Sequence, residues 1–232
     1  EAAMQAILLS FIISLFIAFP GVLYAKEFLL LMGATPEMAK ENFAYPAIIF
    51  GTNSIVMLLF IINAVFRSSG DAAISLRVVF LANLINMALD PLLIFGWGPV
   101  PAMGIAGAAL ATTIGRTIGV IYQFILLSDR HHRISISLKD LRIKAKVMME
   151  LLRVSLGGIF QNLIATSSWI LLVRIIAVFG ASALAGYTIA IRIIVFALLP
   201  AWGLSNAAAT LVGQNLGAGY PDKAEKSVWI AG

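Results

Sequence analysis

The sequence predicts an all-α membrane protein, a polytopic bundle with six transmembrane helices, and three observations carry that prediction. Hydrophobic residues make up 61% of the 232 and charged residues only 12%, far from the balance of a water-soluble domain. Six mostly apolar stretches have about the 20 residues that a helix needs to cross a bilayer. The stretches are continuous, where a membrane β-barrel would alternate polar and apolar residues over segments of about 10.

The spans are expected at residues 4–25, 43–66, 77–96, 103–128, 153–179 and 183–212. Before the first, Glu1 stands where a signal peptide would carry basic residues, and no clear cleavage site follows. That stretch therefore reads as a span, and the chain is expected to start within a longer protein. The second span contains Asn53 and Asn63, with Pro46 near its start, and the third contains Asn83, Asn86, Asp90 and Pro91. Between the third and fourth, Gly96-Trp97-Gly98-Pro99-Val100-Pro101 reads as a tight loop with an aromatic at headgroup level. The fourth span carries Gly104, Gly107, Ala108, Ala109, Ala111, Gly115 and Gly119, a small-residue surface that lets helix backbones approach closely in lipid.

The longest polar stretch, Asp129 to Lys146, divides four spans from two. The domain reading is therefore 1–128, a connector at 129–150, and 151–232. In the connector Ile134, Ile136, Leu138, Leu141, Ile143 and Val147 alternate with charges. That pattern fits a segment on the inner membrane surface or a solvated linker, and either makes a hinge. The fifth span brings Gly157, Gly158, Gln161 and Asn162, and the sixth Pro200. Pro46, Pro91, Pro200 and the Gly157–Gly158 pair are the candidate hinges.

The net charge of +5 reads as topology and gives no reason to expect nucleic acid. Eleven basic residues fall at three breaks on one side: Arg67 and Arg77, then Arg130, Arg133, Lys139, Arg142, Lys144, Lys146 and Arg153, then Lys223 and Lys226. Only Lys26 and Lys40 lie on the other, which makes the first side cytoplasmic. Arg116, Arg174 and Arg192 fall inside spans. Cysteine is absent, so neither a disulfide framework nor thiol chemistry is available. No phosphate-binding loop, HExxH or GxSxG string occurs, and the paired His131 and His132 sit in the basic connector as ordinary loop residues. No enzymatic activity and no cofactor are expected.

A carboxylate inside a span costs about 2.5–3.5 kcal/mol on insertion scales and normally faces a cavity. Asp90 is the clear case, with Asn86 four and Asn83 seven residues earlier on one helical face. Such a set suits a hard cation such as Na+, and a partly desolvated aspartate equally suits a proton. The plainer alternative is a hydrogen-bond acceptor beside the Pro91 kink. Asn63, Gln161, Asn162 and Arg116 are candidate cavity-lining residues, although polar groups in spans more often bridge helices.

In order and spacing these residues resemble the multidrug and toxic compound extrusion (MATE) exporters over essentially the whole chain. The resemblance is carried by Asn63-Ala64-Val65-Phe66-Arg67-Ser68-Ser69-Gly70-Asp71, by Leu89-Asp90-Pro91, and by the run from Gly104 to Thr112. Pro200-Ala201-Trp202-Gly203-Leu204 and Val212-Gly213-Gln214-Asn215-Leu216-Gly217-Ala218-Gly219 complete it. It implies twelve helices in two lobes, of which this chain would supply the third to eighth. It also implies a Na+- or H+-coupled antiporter, monomeric in the cell membrane, that exports amphipathic or cationic drugs by alternating access.

By motif position the family's first-lobe cation site falls on Asp90, Asn86 and Thr112. The second-lobe glutamate of one branch is replaced by Ala165. The alternative within the superfamily is a flippase for lipid-linked oligosaccharides, which would want a more basic cavity. Residues 1–232 alone are expected not to transport.

Overall fold

The computed structural model describes residues 2–32, 34–97, 99–129 and 143–231. Among them it places ten α-helices: α1 (Ala2–Leu23), α2 (Ala25–Leu31), α3 (Pro36–Asn42), α4 (Ala44–Gly51), α5 (Asn53–Ser68), α6 (Ala72–Phe95), α7 (Gly104–Ser128), α8 (Ala145–Ala177), α9 (Ala181–Gly217) and α10 (Pro221–Ala231). Five are long and apolar enough to cross a membrane, and α4 with α5 makes a sixth if that bent pair is one span. Helices cover all six expected stretches, five of them as single helices of membrane length and the second as the bent pair. Those expectations that concern Arg130 to Arg142, including His131, His132 and the membrane-surface segment, lie outside the described residues.

The boundaries differ in instructive ways. α6 starts five residues before the expected span and α8 eight before, so Arg77 and Arg153 lie within helices. Neither charge ends a helix, since a long charged side chain can reach water from the second or third turn. The second span is broken: α4 and α5 meet at Thr52 with a bend of 46°. Gly51-Thr52-Asn53 puts three weak helix formers in a row there. The Thr52 hydroxyl donates back to the Ile48 carbonyl at 2.7 Å, a contact of the kind that bends helices. Pro46, the expected hinge, sits inside α4 and away from the bend. Pro91 and Pro200 lie within α6 and α9, each a single continuous helix.

The chain forms two compact units, Glu1–Met148 and Met149–Gly232. The first has its own core, in which Ile7 of α1, Leu59, Ile62 and Phe66 of α5, Ile74 and Val78 of α6, and Val120 and Leu127 of α7 cluster. In the second, α10 packs on α9. The side chains of α8 and α9 are largely exposed in this chain, and Trp169, Ile170, Phe196 and Trp202 offer apolar surface to lipid or to further helices.

Matching turns close two of the helices. Gly70 (φ +93°) and Gly219 (φ +78°) both occupy the left-handed region. There the following amide turns back to cap a helix end, Asp71 N–H to the Phe66 carbonyl and Tyr220 N–H to the Asn215 carbonyl, at 2.9 and 2.8 Å. The loop after α6 is as tight as its sequence predicts. Trp97 and Val100 form a β-bridge, and a side chain at Gly96 (φ +76°) would meet the Ala102 backbone at 2.6 Å.

Candidate functional site

The geometry of the candidate site starts from the packing of α7 on α6. Gly107, Ala111, Gly115 and Gly119 recur every four residues and are all buried, which makes one smooth stripe along α7. The fit leaves no room for a methyl group. A Cβ at Gly107 would run into the Leu93 carbonyl oxygen, and one at Gly115 would lie 2.5 Å from that of Ala82. Gly119 in turn faces Leu59, Val78 and Ala82.

That close approach brings a threonine of α7 within reach of an asparagine of α6. Asn86 Nδ2 donates to Asp90 Oδ1 at 3.2 Å and to Thr112 Oγ1 at 3.3 Å. The first contact follows from the four-residue spacing on one helix. The second joins two helices and depends on Gly115, whose position also abuts Asn86. Of the three threonines of α7, Thr113 and Thr117 turn their hydroxyls back to the carbonyls of Ala109 and Thr113, at 2.8 and 2.7 Å. Thr112 makes no such bond among the described residues, which leaves its hydroxyl for the site.

All three groups are half-buried. Asp90 has no second hydrogen-bond or ion-pair partner among the described residues, so most of its acceptor capacity is unspent. The NH2 of Asn86 lies between two oxygens, the orientation expected without a cation. Turning that amide by 180° would aim Asn86 Oδ1 into the same space and gather three kinds of oxygen donor, carboxylate, amide and hydroxyl. These residues therefore fit a hard cation by donor chemistry, and the unspent carboxylate fits a proton equally well.

The other candidates separate from this trio. Asn83 is exposed and makes no hydrogen bond among the described residues, so it does not extend the Asn86–Asp90 pair into a bonded stripe. Arg116, one turn from Thr112 on the same face of α7, is half-buried and has no acid partner among the described residues. Asn63 is 2% exposed, within the core of the first unit. In the second unit Gln161 and Asn162 are exposed, and Asn162 with Ser155, Gly158 and Thr166 lines an open groove of about 520 Å³ on α8. At Gly157 and Gly158 a Cβ would meet nothing within 4 Å.

Sequence reasoning missed the contact beside the site. Thr52, at the bend of the second span, shares a 3.1 Å hydroxyl contact with Thr113. The broken span thus touches the residue adjacent to Thr112. The only sequence signal was the Gly51-Thr52-Asn53 run.

Five helices of membrane length and a bent pair, with a bonded carboxylate, amide and hydroxyl on two of the helices, define a multi-pass α-helical protein of the cell membrane, of the kind that moves solutes. The MatE family model matches residues 1–92 and 158–231, and the chain belongs to that family, whose members are membrane transporters and not enzymes. It is 30% identical over 190 residues to a probable multidrug resistance protein NorM of Thermotoga maritima, a match covering 82% of this chain and 40% of that protein. It is 27% identical over 227 residues to a FAD transporter of Shewanella oneidensis, covering 98% of this chain and 50% of that one. The fold matches that of a MOP superfamily transporter from Pyrococcus furiosus with a TM-score of 0.89 at 23% identity, over 100% of this chain and 51% of the other. The chain thus spans about half the length of the proteins it matches.

Proposed function

We propose that this chain is the central half of a secondary antiporter that exports amphipathic or cationic compounds in exchange for Na+ or H+. Its two compact units would belong to the two lobes whose rocking gives alternating access. The observation that carries the reading is the Asn86 amide held between Asp90 and Thr112. That arrangement is a cation-compatible site within the bilayer, placed on two tightly packed helices of one unit. Arrival of Na+ or a proton at Asp90 would replace the donor hydrogens of Asn86, and so change what holds α6 to α7. The multidrug resistance protein NorM among the relatives supports drugs as the cargo. The coupling ion is cargo too, and no cofactor is called for.

A second reading has its own observation. Arg116 is a half-buried cation without an acid partner among the described residues, one turn from Thr112. A guanidinium there suits an anionic cargo such as a phosphate-bearing nucleotide or lipid-linked sugar, and one relative is a FAD transporter. The two readings divide on one assay. Vesicles that contain the full-length protein are loaded with a fluorescent cationic dye or a fluorescent dinucleotide, under imposed Na+ or proton gradients. Dye movement driven by one gradient establishes the first reading and names the ion; movement of the dinucleotide alone establishes the second.

A further inference from the structure

We propose that Thr52, at the break of the second span, is a positioning residue for the ion site: through Thr113 it fixes α7 so that the Thr112 hydroxyl faces Asn86. The inference rests on the antiporter reading above and adds to it a residue that is not itself one of the candidate ligands. Among the described residues, α7 makes two side-chain hydrogen-bond contacts with side chains of other helices, and they fall on adjacent residues. Thr112 Oγ1 accepts from Asn86 of α6 at 3.3 Å, and Thr113 Oγ1 meets the Thr52 hydroxyl at 3.1 Å. Adjacent residues of a helix lie about 100° apart around its axis and about 1.5 Å apart along it. At the level of the site α7 is thus gripped on two faces.

The second grip is a short chain of hydroxyls. Thr52 Oγ1 lies 2.7 Å from the Ile48 carbonyl, Thr113 Oγ1 lies 2.8 Å from that of Ala109, and the two hydroxyl oxygens lie 3.1 Å apart. Each hydroxyl has one hydrogen to give, so two hydrogens serve three contacts. The Ile48 carbonyl is the one that can spare its share, because it also accepts the Thr52 amide at 2.9 Å. With the Thr52 hydrogen turned to Thr113, and that of Thr113 given to Ala109, the break of the second span is bonded to α7 and every oxygen keeps a donor.

Thr52 is a firm post for such a bond. Its amide donates to the Ile48 carbonyl and its carbonyl accepts from the Ile55 amide, both at 2.9 Å, so backbone bonds hold it from both sides of the break. The two residues before it are wedged on α1: a Cβ at Gly21 would lie 2.5 Å from the Phe50 ring, and one at Gly51 would lie 3.3 Å from Val22. The Phe50 ring also packs on that of Phe28, with centroids 5.7 Å apart. A ligand keeps its geometry when neighbours on rigid elements hold it. Thr113 spends its hydroxyl on that holding, and Thr112, one residue away, keeps its own for Asn86.

The test is efflux of a fluorescent cationic dye from vesicles with the full-length protein, read as the half-maximal concentration of the coupling cation, Na+ or H+, and separately as the maximal rate. Thr52→Val should raise the half-maximal concentration about threefold, the cost of one average interhelical hydrogen bond in a membrane. Thr52→Ser, which keeps the hydroxyl, should restore it. Because Thr52 acts through Thr112, adding Thr52→Val to Thr112→Val should raise it no further. A rise of about ninefold in that pair, the two effects multiplied, overturns the proposal. So does a fall in Tm and maximal rate with the half-maximal concentration unaltered, which marks a purely structural contact. Where Thr52→Val does not insert in the membrane, Thr113→Val removes the same contact from the side of α7 and is read in the same way. Efflux without cation dependence, or unaltered in Asp90→Asn, sinks the antiporter reading and this inference together; a shift in Thr112→Val with none in Thr52→Val sinks this inference alone.

Discussion

At the scale of the residue, Asn86 does the joining, because its two amide hydrogens go to oxygens on two different helices. Asn86→Leu removes both contacts and one ligand, so the cation concentration for half-maximal efflux should rise by about tenfold, the equivalent of about 1.4 kcal/mol. Thr112→Val removes a single interhelical bond, worth about 0.6 kcal/mol on average in a membrane, and should raise it roughly threefold. Equal, unaltered cation dependence in both variants would detach the trio from coupling. The Asn86–Asp90 pair was legible in the sequence, because a spacing of four puts both on one helical face. Thr112 was legible only through the family resemblance, since nothing in a single helix says which partner it meets. The burial of Asn63 was not legible at all: an asparagine in an apolar span reads the same whether it faces a cavity or a core.

At the scale of the element, the small-residue stripe of α7 sets the site's dimensions. Gly107→Ala and Gly115→Ala would each drive a methyl into a backbone carbonyl of α6, an overpacking that costs about 1–3 kcal/mol. Both should lower Tm and weaken cation dependence together. Gly157→Ala and Gly158→Ala meet open space in this chain, so the helix gains about 0.5–1 kcal/mol per site from the loss of glycine freedom. If that pair is the hinge the sequence suggests, their Tm should hold or rise while turnover slows. Existence and order of the spans were legible because composition and continuity alone decide them. The bend at Thr52 was not, since hydropathy passes smoothly through Gly51-Thr52-Asn53 and proline at 46 is the louder signal. At the bend the Thr52 hydroxyl shares the Ile48 carbonyl with its own amide and touches Thr113.

At the scale of the whole molecule, export is expected of a protein about twice this length. The apolar faces of α8 and α9 that stand bare in this chain would meet the remaining helices there. Residues 1–232 expressed alone should insert in the membrane yet drive no dye efflux, and robust efflux from this piece would contradict the two-lobe reading. The central claim is that Asp90 couples the ion to export. It is tested most directly by gradient-driven dye efflux from vesicles with the full-length protein, Asp90 intact or changed to Asn, at matched membrane insertion. Loss of gradient-driven efflux in Asp90→Asn with unchanged dye binding is the predicted result; efflux at the unsubstituted rate would contradict the account and leave Asp90 as a hydrogen-bond acceptor beside Pro91.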